Sequence, residues 1–159
     1  VGMQRGLAGI LAAAGNCVRL VVWPARYDDC IAVAAVNNAD QPWKGSCRGA
    51  AVDVSAPGEN VFRARIGDPA VGQGQGTSFA VALTAGVAAL WLAHHGRDQA
   101  IAAAQARGET LQSMFLRLLR ATARRPHGWD FSEMGGGVVD AVALLQAGFD
   151  ASPGPEAAL

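Results

Sequence analysis

Ser78 has the best setting for chemistry in this sequence, because it follows a glycine-rich stretch and precedes a long apolar segment. The letters from 74 to 86 are GQGTSFAVALTAG, so a loop delivers the serine to the first turn of a helix. Backbone N–H groups in a first helical turn have no partner within the helix, and the helix dipole favours negative charge there. This position suits a nucleophile with charge developing beside its oxygen. Alternatively, Thr77 or Ser78 only caps the helix.

Asn16 is the second residue with a chemical role to offer. It ends an apolar run at Ala14-Gly15-Asn16. Its side-chain amide can donate a hydrogen bond to an oxyanion. The alternative is an asparagine at a tight turn after a strand, where its tolerance of left-handed dihedral angles is useful.

No histidine that could act as a base precedes Ser78 in the chain. A serine hydroxyl is a weak nucleophile until a base takes its proton. The three histidines, His94, His95 and His127, all follow the serine. A helical rise of 1.5 Å per residue puts His94 about 24 Å along the axis from Ser78. We expect His94 and His95 to complement the negative end of a helix dipole, and His127 to lie at the surface.

Composition limits the classes of protein. With 159 residues, 51% of them hydrophobic and 16% charged, the chain is long and apolar enough for one globular domain. Thirteen basic residues balance thirteen acidic ones, which gives no indication of nucleic-acid or anionic-membrane binding. No apolar run reaches eighteen residues, so we expect no membrane span. Three cysteines, an odd number, argue against a disulfide-stapled domain.

The chain divides into strand-like and helix-like segments. Continuous apolar runs at 6–14, 31–36 and 51–55 predict buried strands of a parallel sheet, with a glycine-rich loop at 67–76. Residues 78–94 predict a helix that is apolar nearly all round and therefore buried. We expect the bulkier side chains of this helix to fill the core: Leu83, Val87, Leu90 and Trp91. Further helices are predicted at 98–106, 109–123 and 138–147, followed by a loose tail from 151.

Five segments resemble, in order, those of the subtilases, the subtilisin-like serine proteases. GTSFA at 76–80, with Ala85-Gly86 after it, resembles the nucleophile motif, although Ala82 stands where the family usually has proline. AAAGN at 12–16 resembles the strand end that bears the oxyanion asparagine. The other three are WPARYDDCIAVAAV at 23–36, VDVSAPGENV at 52–61 and MGGGVVDAVALL at 134–145.

The resemblance implies an α/β fold with three layers, in which a mostly parallel sheet has helices on both faces. Residues 1–150 would be the C-terminal portion of a subtilisin-like peptidase domain whose N-terminal part is missing. Residues 151–159 would be a flexible tail. Secretion is what the family makes expected, and the oligomeric state is not readable from the sequence.

The implied function is that of a serine endopeptidase, which hydrolyses polypeptide substrates through an acyl-enzyme on Ser78. The Ser78 N–H and the Asn16 amide would hold the oxyanion. Neighbouring residues would help to form the oxyanion and substrate-binding region: Thr77, Ala14, Gly15 and Val22. Val22, in place of a glycine, would restrict the P1 pocket to small or modest apolar side chains.

The family also implies a weak cation site, although no cofactor is required for the reaction. Asp53 would contribute its carboxylate, with backbone carbonyls of Ala25, Tyr27 and Cys30, and the ion would be a structural calcium. The alternative for Asp53 is a solvated or capping side chain.

Two other functions compete with an active protease. In the family the triad aspartate and histidine both precede the serine, so we expect this chain to be inactive alone, and a pseudoprotease that only binds is an alternative. An α/β-hydrolase esterase is a third, since GTSFA approximates a nucleophile elbow and His127 follows. However, an elbow requires a hydrophobic strand running into the serine, and Asp130 comes after His127.

Overall fold

A computed structural model describes residues 9–18 and 20–154 of the chain. Its centre is a parallel sheet of three strands in the order β1 (Leu11–Ala13), β2 (Ile31–Val36) and β3 (Val54–Pro57). The predicted α/β fold with a parallel sheet is confirmed, while residues 6–8 of the first predicted strand lie outside the described part. β3 begins three residues later than predicted, because Val52 N–H bonds to the Gly49 carbonyl in a turn.

The segment predicted as a loop at 67–76 is mostly a strand, so that prediction was wrong. β5 (Asp68–Gly74) pairs antiparallel with β4 (Val61–Arg65) to form a separate two-stranded hairpin. Glycine serves close packing here as well as turning, since a Cβ on Gly74 would collide with the ring of Phe79. Pairing with the backbone of β4 thus outweighs the preference of this glycine-rich segment for a loop.

Five helices follow the hairpin: α1 (Thr77–His95), α2 (Arg97–Ala106), α3 (Leu111–Thr122), α4 (Phe131–Met134) and α5 (Ala141–Gln146). The side chain of Asp140 caps α5 by accepting a hydrogen bond from Ala143 N–H at 3.0 Å. The last helix therefore begins later than the predicted 138, and Val138 instead bridges to Ser55 beside β3.

The core lies on both faces of the sheet. On one face, Ile31, Val33 and Val54 pack under α1, α3 and α5 in a cluster that includes Trp91 and Leu118. The other face is covered mainly by loop segments and the single-turn helix α4, in a cluster of smaller residues. That cluster includes Ala12, Ala32, Ala34, Val21, Cys47 and Met134.

The helix α1 is much less covered than the sequence predicts. Its buried residues are Thr77, Ala80, Thr84 and Trp91. Leu83 and Leu90 were expected in the core, but they are 42% and 57% exposed, because the described part of the chain packs on one side of the helix only. By length and hydropathy α1 could also cross a membrane. This is weak evidence, since core helices pass the same test.

The predicted tail is attached at its start. Arg117 donates to the carbonyl oxygens of Phe149 and Ala151 and also pairs with Glu109. Residues 155–159 lie outside the described residues. The loose tail that the sequence predicts from 151 is therefore fixed at its first residue.

Candidate active site

Ser78 is the second residue of α1, and its side chain is exposed. The chain enters the helix through Gly76, whose N–H bonds to the Gly58 carbonyl at 2.7 Å and whose φ of 145° favours glycine. A Cβ on Gly76 would lie 3.1 Å from Ser78 Oγ and 3.3 Å from Asn16 Nδ2. The structure thus brings Ser78 Oγ and Asn16 Nδ2 close to the same point beside this glycine.

The amide of Asn16 is oriented by Thr77. Asn16 Oδ1 accepts hydrogen bonds from Thr77 N and from Thr77 Oγ1, both at 2.9 Å. Because the oxygen of the amide is committed to Thr77, the Nδ2 group faces the side of Gly76 and Ser78. Gly76, the residue before α1, has no side chain that could cap the helix. Asn16 caps it instead, by accepting the Thr77 N–H.

Thr77 itself is completely buried. Its hydroxyl oxygen accepts a hydrogen bond from Gly15 N at 3.2 Å while donating to Asn16. This side chain joins the end of β1 to the start of α1, and it has no surface to offer a substrate. Its place in the structure is that of a positioning residue.

Ala14, Gly15 and Val22 form one wall beside Asn16. Ala14 is buried, donates to the Val33 carbonyl at 3.0 Å and accepts from Val22 N at 2.9 Å. Gly15 has a φ of 114°, and a Cβ there would lie 2.8 Å from Val22 Cγ2. The side chain of Val22, which is 38% exposed, therefore covers the face of Gly15.

A segment around Gly45 and Cys47, which the sequence did not predict to be part of the site, holds Asn16 from the other side. Cys17 N–H bonds to the Gly45 carbonyl, and Cys47 N–H bonds to the Gly15 carbonyl, each at 2.8 Å. Asn16 therefore lies between two backbone hydrogen bonds of a short antiparallel pairing. No sequence motif identifies this segment, because its contribution is made by backbone atoms. Cys17, Cys30 and Cys47 are free thiols.

The site offers hydrogen-bond donors without a base. Across residues 9–18 and 20–154, no hydrogen bond occupies the N–H or the Oγ of Ser78 or the Nδ2 of Asn16. His94 and His95 lie at the opposite end of α1, and His127 is exposed in the loop after α3. The arrangement can stabilise an anionic oxygen at a carbon attacked by Ser78, but no described histidine contacts the serine.

Asp53 has a structural partner where a cation ligand was expected. Its Oδ2 accepts from Ala32 N at 2.8 Å, and its Oδ1 lies 2.6 Å from Arg120 Nη2. Burial raises the pKa of Asp53, while the Ala32 N–H and the Arg120 guanidinium oppose the rise. Both carboxylate oxygens are engaged, so Asp53 links the sheet to α3. A contribution of Asp53 to a cation site stays a prediction.

The rest of the expected cation site consists of backbone carbonyls. Ala25 is buried, and the Tyr27 carbonyl accepts from Cys30 N–H at 2.9 Å. The described ranges contain no group of three or more His, Cys, Asp or Glu residues that could hold a metal. Calcium binding at these carbonyls stays a prediction.

The chain is similar to known proteins both in family and in sequence. Residues 2–136 match the model of the subtilase family. Mycosin-1 of Mycobacterium tuberculosis is 34% identical over 153 residues, which are 90% of this chain and 31% of mycosin-1. Halolysin of Haloferax mediterranei is 37% identical over 92 residues, 57% of this chain and 18% of halolysin. The chain thus spans a third or less of the length of these relatives.

Solved structures of similar fold include two proteases. The prenylagaramide maturation protease PagA has a TM-score of 0.68 and 26% identity over 86% of this chain and 49% of its own. MycP1 with its N-terminal propeptide removed has a TM-score of 0.65 and 28% identity over 91% of this chain and 51% of its own. About half of each of these chains therefore has no counterpart here.

Proposed function

The chain belongs to the subtilase family, and from this premise we propose that Ser78 is the nucleophile of a serine endopeptidase acting on polypeptides. The observation that carries the proposal is that Ser78 Oγ and Asn16 Nδ2 both approach the same point beside Gly76. In the reaction, Ser78 Oγ forms a bond to the scissile carbonyl carbon and its proton passes to a base. The C–N bond then breaks as that proton is given to the leaving amine, and water hydrolyses the acyl-enzyme.

Asn16 and the backbone of α1 would stabilise the intermediate. The carbonyl oxygen becomes negative when Ser78 attacks. It would lie beside Asn16 Nδ2 and Ser78 N–H, two donors that have no partner among the described residues. The start of the helix adds its dipole. Thr77 takes no direct part, but it aims the amide through its two bonds to Asn16 Oδ1.

The base for Ser78 would come from a part of the protein outside this chain. We therefore expect the chain by itself to react slowly, because an oxyanion hole without a base leaves most of the rate enhancement unrealised. A binding-only pseudoprotease remains the alternative function, favoured by the lack of any histidine in contact with Ser78 in the described part of the chain.

A soluble base separates these two functions. The purified chain is treated with a fluorophosphonate probe, which reacts with activated serines, while imidazole is added up to about 0.2 M as a substitute general base. We expect labelling of Ser78 that is near background alone and rises with imidazole concentration. The variant Ser78→Ala is the control. Labelling that stays at the Ser78→Ala level at every imidazole concentration would support the pseudoprotease.

The location and ion content of the protein are also proposals. An extracytoplasmic site of action is supported by membership of the subtilase family. A structural calcium held by Asp53 and the carbonyls of Ala25, Tyr27 and Cys30 is tested by thermal unfolding with added CaCl₂ or with EDTA. A melting temperature that is the same in both solutions would contradict the calcium proposal.

A further inference from the structure

A polar pocket begins at the residue that follows Asn16. Its volume is about 450 Å³, and its lining includes Cys17, Lys44, Gly45, Ser46, Arg48 and Glu133. Val22 does not line it. Along the chain Asn16 therefore stands between Gly15, whose face Val22 covers, and Cys17, which opens onto this second space.

The position of the pocket relative to Asn16 is fixed by backbone pairing. Asn16 pairs antiparallel with Ser46, and Cys17 N–H bonds to the Gly45 carbonyl at 2.8 Å. The Cα atoms of Asn16 and Cys17 are about 3.8 Å apart, as in any trans peptide. A substrate whose carbonyl oxygen is held by the Asn16 amide would therefore lie beside the mouth of the pocket.

Gly45 keeps the pocket open. A Cβ at this position would lie 2.4 Å from ring atoms of Trp43, which is buried, so a side chain cannot be added without displacing that ring. The hydroxyl of Ser46 is already committed, because it accepts from Ala35 N and donates to the Cys47 carbonyl, both at 2.9 Å. Recognition of a ligand in this space is therefore left mainly to the charged side chains.

The lining of the pocket carries a net positive charge. It contains two cations, Lys44 and Arg48, and one carboxylate, Glu133. Lys44 is exposed and has no ion-pair partner among the described residues. Arg48 lies 3.6 Å from Glu133, with side chains that are 36% and 51% exposed. Ion pairs so exposed contribute little, so an incoming carboxylate could pair with Lys44 and draw Arg48 from Glu133.

The two sides of Asn16 suit the two parts of a substrate. A carbonyl carbon attacked by Ser78 joins an acyl part to a leaving amine, and its oxygen would face the Asn16 amide. The acyl side chain is expected at the wall of Gly15 and Val22. The pocket at Cys17 is then available to the part of the substrate that leaves.

We propose that this pocket selects substrates with an acidic side chain on the leaving-group side of the scissile bond, with Lys44 and Arg48 as the specificity-determining residues. The inference rests on the proposed function for the reaction at Ser78. The preference of the pocket for a carboxylate is a separate property, and it can be measured when Ser78 does not react.

Two phosphonate probes that differ only in the leaving group test the selectivity. Both carry the same alanine acyl side, and one releases hydroxyphenylacetate while the other releases the uncharged hydroxyphenylacetamide. Their labelling rates at Ser78 are compared in the presence of imidazole, each divided by its rate of hydrolysis by imidazole alone. We expect the carboxylate probe to react about fivefold faster, as for one partly exposed charge pair. The preference should shrink in about 0.5 M NaCl.

The double variant Lys44→Gln, Arg48→Gln should bring this ratio close to one. Arg97→Gln is the matched control, because it removes an exposed positive charge at the far end of α1 and should leave the ratio at about fivefold. Lys44 and Arg48 are exposed and partly exposed, so we expect the double variant to keep its circular dichroism spectrum.

The thiol of Cys17 reports on the same pocket without the serine. Cys17 is exposed, whereas Cys30 and Cys47 are buried. Its thiolate attacks the disulfide of anionic dithiobis(nitrobenzoate) or of uncharged dithiodipyridine, forming a mixed disulfide and releasing one aryl thiolate. We expect the ratio of the anionic to the uncharged rate to fall about fivefold in the double variant and to be unchanged in Arg97→Gln.

The outcomes separate the pocket from the proposed function. Equal labelling of Ser78 by the two probes would overturn the selectivity, and so would a preference that survives the double variant. A preference seen instead between probes with glutamate and glutamine at P1 would assign the pocket to the acyl side. A Cys17 rate ratio that the double variant does not change would overturn the carboxylate site. A charge-dependent Cys17 reaction with no labelling of Ser78 would contradict the protease and the use of the pocket as its subsite.

Discussion

Asn16 Oδ1 receives two hydrogen bonds from one residue, the N–H and the hydroxyl of Thr77, both at 2.9 Å. The pair fixes which end of the amide is the oxygen and therefore which end can act as a donor toward Ser78. It also gives Asn16 two separable tasks, capping α1 and offering Nδ2 to an anion. Substitutions that keep one task and remove the other follow directly.

Asn16→Asp should keep the cap and remove the donor. A carboxylate can still accept from Thr77, and it is favourable at a helix N-terminus, so we expect the free energy of unfolding to change by less than about 1 kcal/mol. Imidazole-dependent labelling of Ser78 should fall about 100-fold or more, the range seen when a side-chain donor of the oxyanion hole is removed in subtilisin. Labelling at the wild-type rate would remove Asn16 from the reaction.

Thr77→Val should destabilise the fold, because Asn16 Oδ1 and Gly15 N–H would both lose their hydroxyl partner at a buried position. We expect a loss of about 1–3 kcal/mol in urea unfolding. Thr122→Val is the matched control. That hydroxyl donates to the Leu118 carbonyl within α3, and its loss should cost well under about 1 kcal/mol. Equal losses in the two variants would contradict the role assigned to Thr77.

Gly76→Ala should disturb Ser78 and Asn16 together. The added methyl group would lie 3.1 Å from Ser78 Oγ and 3.3 Å from Asn16 Nδ2, and the φ of 145° is unfavourable for alanine. Gly49→Ala has a similar φ of 137° with nothing within 4 Å of the new Cβ. Both variants should lose about 1–3 kcal/mol of stability from backbone strain. Only Gly76→Ala should also lower imidazole-dependent labelling, and an equal effect of both would argue against the close approach at Gly76.

His95 should make the stability of the chain fall in mildly acidic solution. Its ring packs against Trp91 and Phe149, and its Nε2 is buried without a hydrogen-bond partner in the described residues. Burial lowers the pKa of His95 below 6.5, and the neighbouring His94 lowers it further. The unfolded state therefore binds more protons than the folded state between the two pKa values. The stabilisation is complete above pH 6.5 and is lost as the pH falls toward the folded pKa.

His95→Phe tests this dependence, since phenylalanine keeps the ring contacts and cannot take up a proton. We expect the drop in melting temperature between pH 7 and pH 5 to become smaller in His95→Phe than in the original chain. His127→Gln, which changes an exposed histidine, should leave the drop as it was. A drop of the same size in all three proteins would exclude His95 as its source.

Val22→Ala should enlarge the region beside Gly15 that the resemblance to subtilases predicts to be the P1 pocket. Peptidyl phosphonate probes with alanine or phenylalanine at P1 would compare the two pockets in the imidazole-supported assay. We expect the phenylalanine probe to gain at least about tenfold relative to the alanine probe, in line with a few methylene groups of pocket space. A fast reaction of the original chain with the phenylalanine probe would contradict the small pocket.

Local patterns in the sequence predicted the parallel sheet and the serine at the start of a helix. The apolar runs and the glycine before Ser78 are signals that neighbouring residues carry. The features that the sequence did not predict depend on distant partners. The strand β5 needs β4, and the ion pair of Asp53 needs Arg120. The hydrogen bonds on either side of Asn16 use only backbone atoms of Gly45 and Cys47 from the facing segment. The exposure of Leu83 and Leu90 was also unreadable, because apolarity does not tell which neighbours are present.

The cap on α1 is supplied by Asn16, just beyond the end of β1, and this couples the orientation of the amide to the docking of the helix on the sheet. A chain in which the helix has formed but has not yet docked on the sheet lacks the Asn16 bonds to Thr77. In such an intermediate the amide of Asn16 is not oriented and the N-terminus of α1 is not capped. Asn16 would then offer no fixed donor to an anion beside Ser78. The donors that could bind an anion are therefore oriented only after the sheet and the helix have docked.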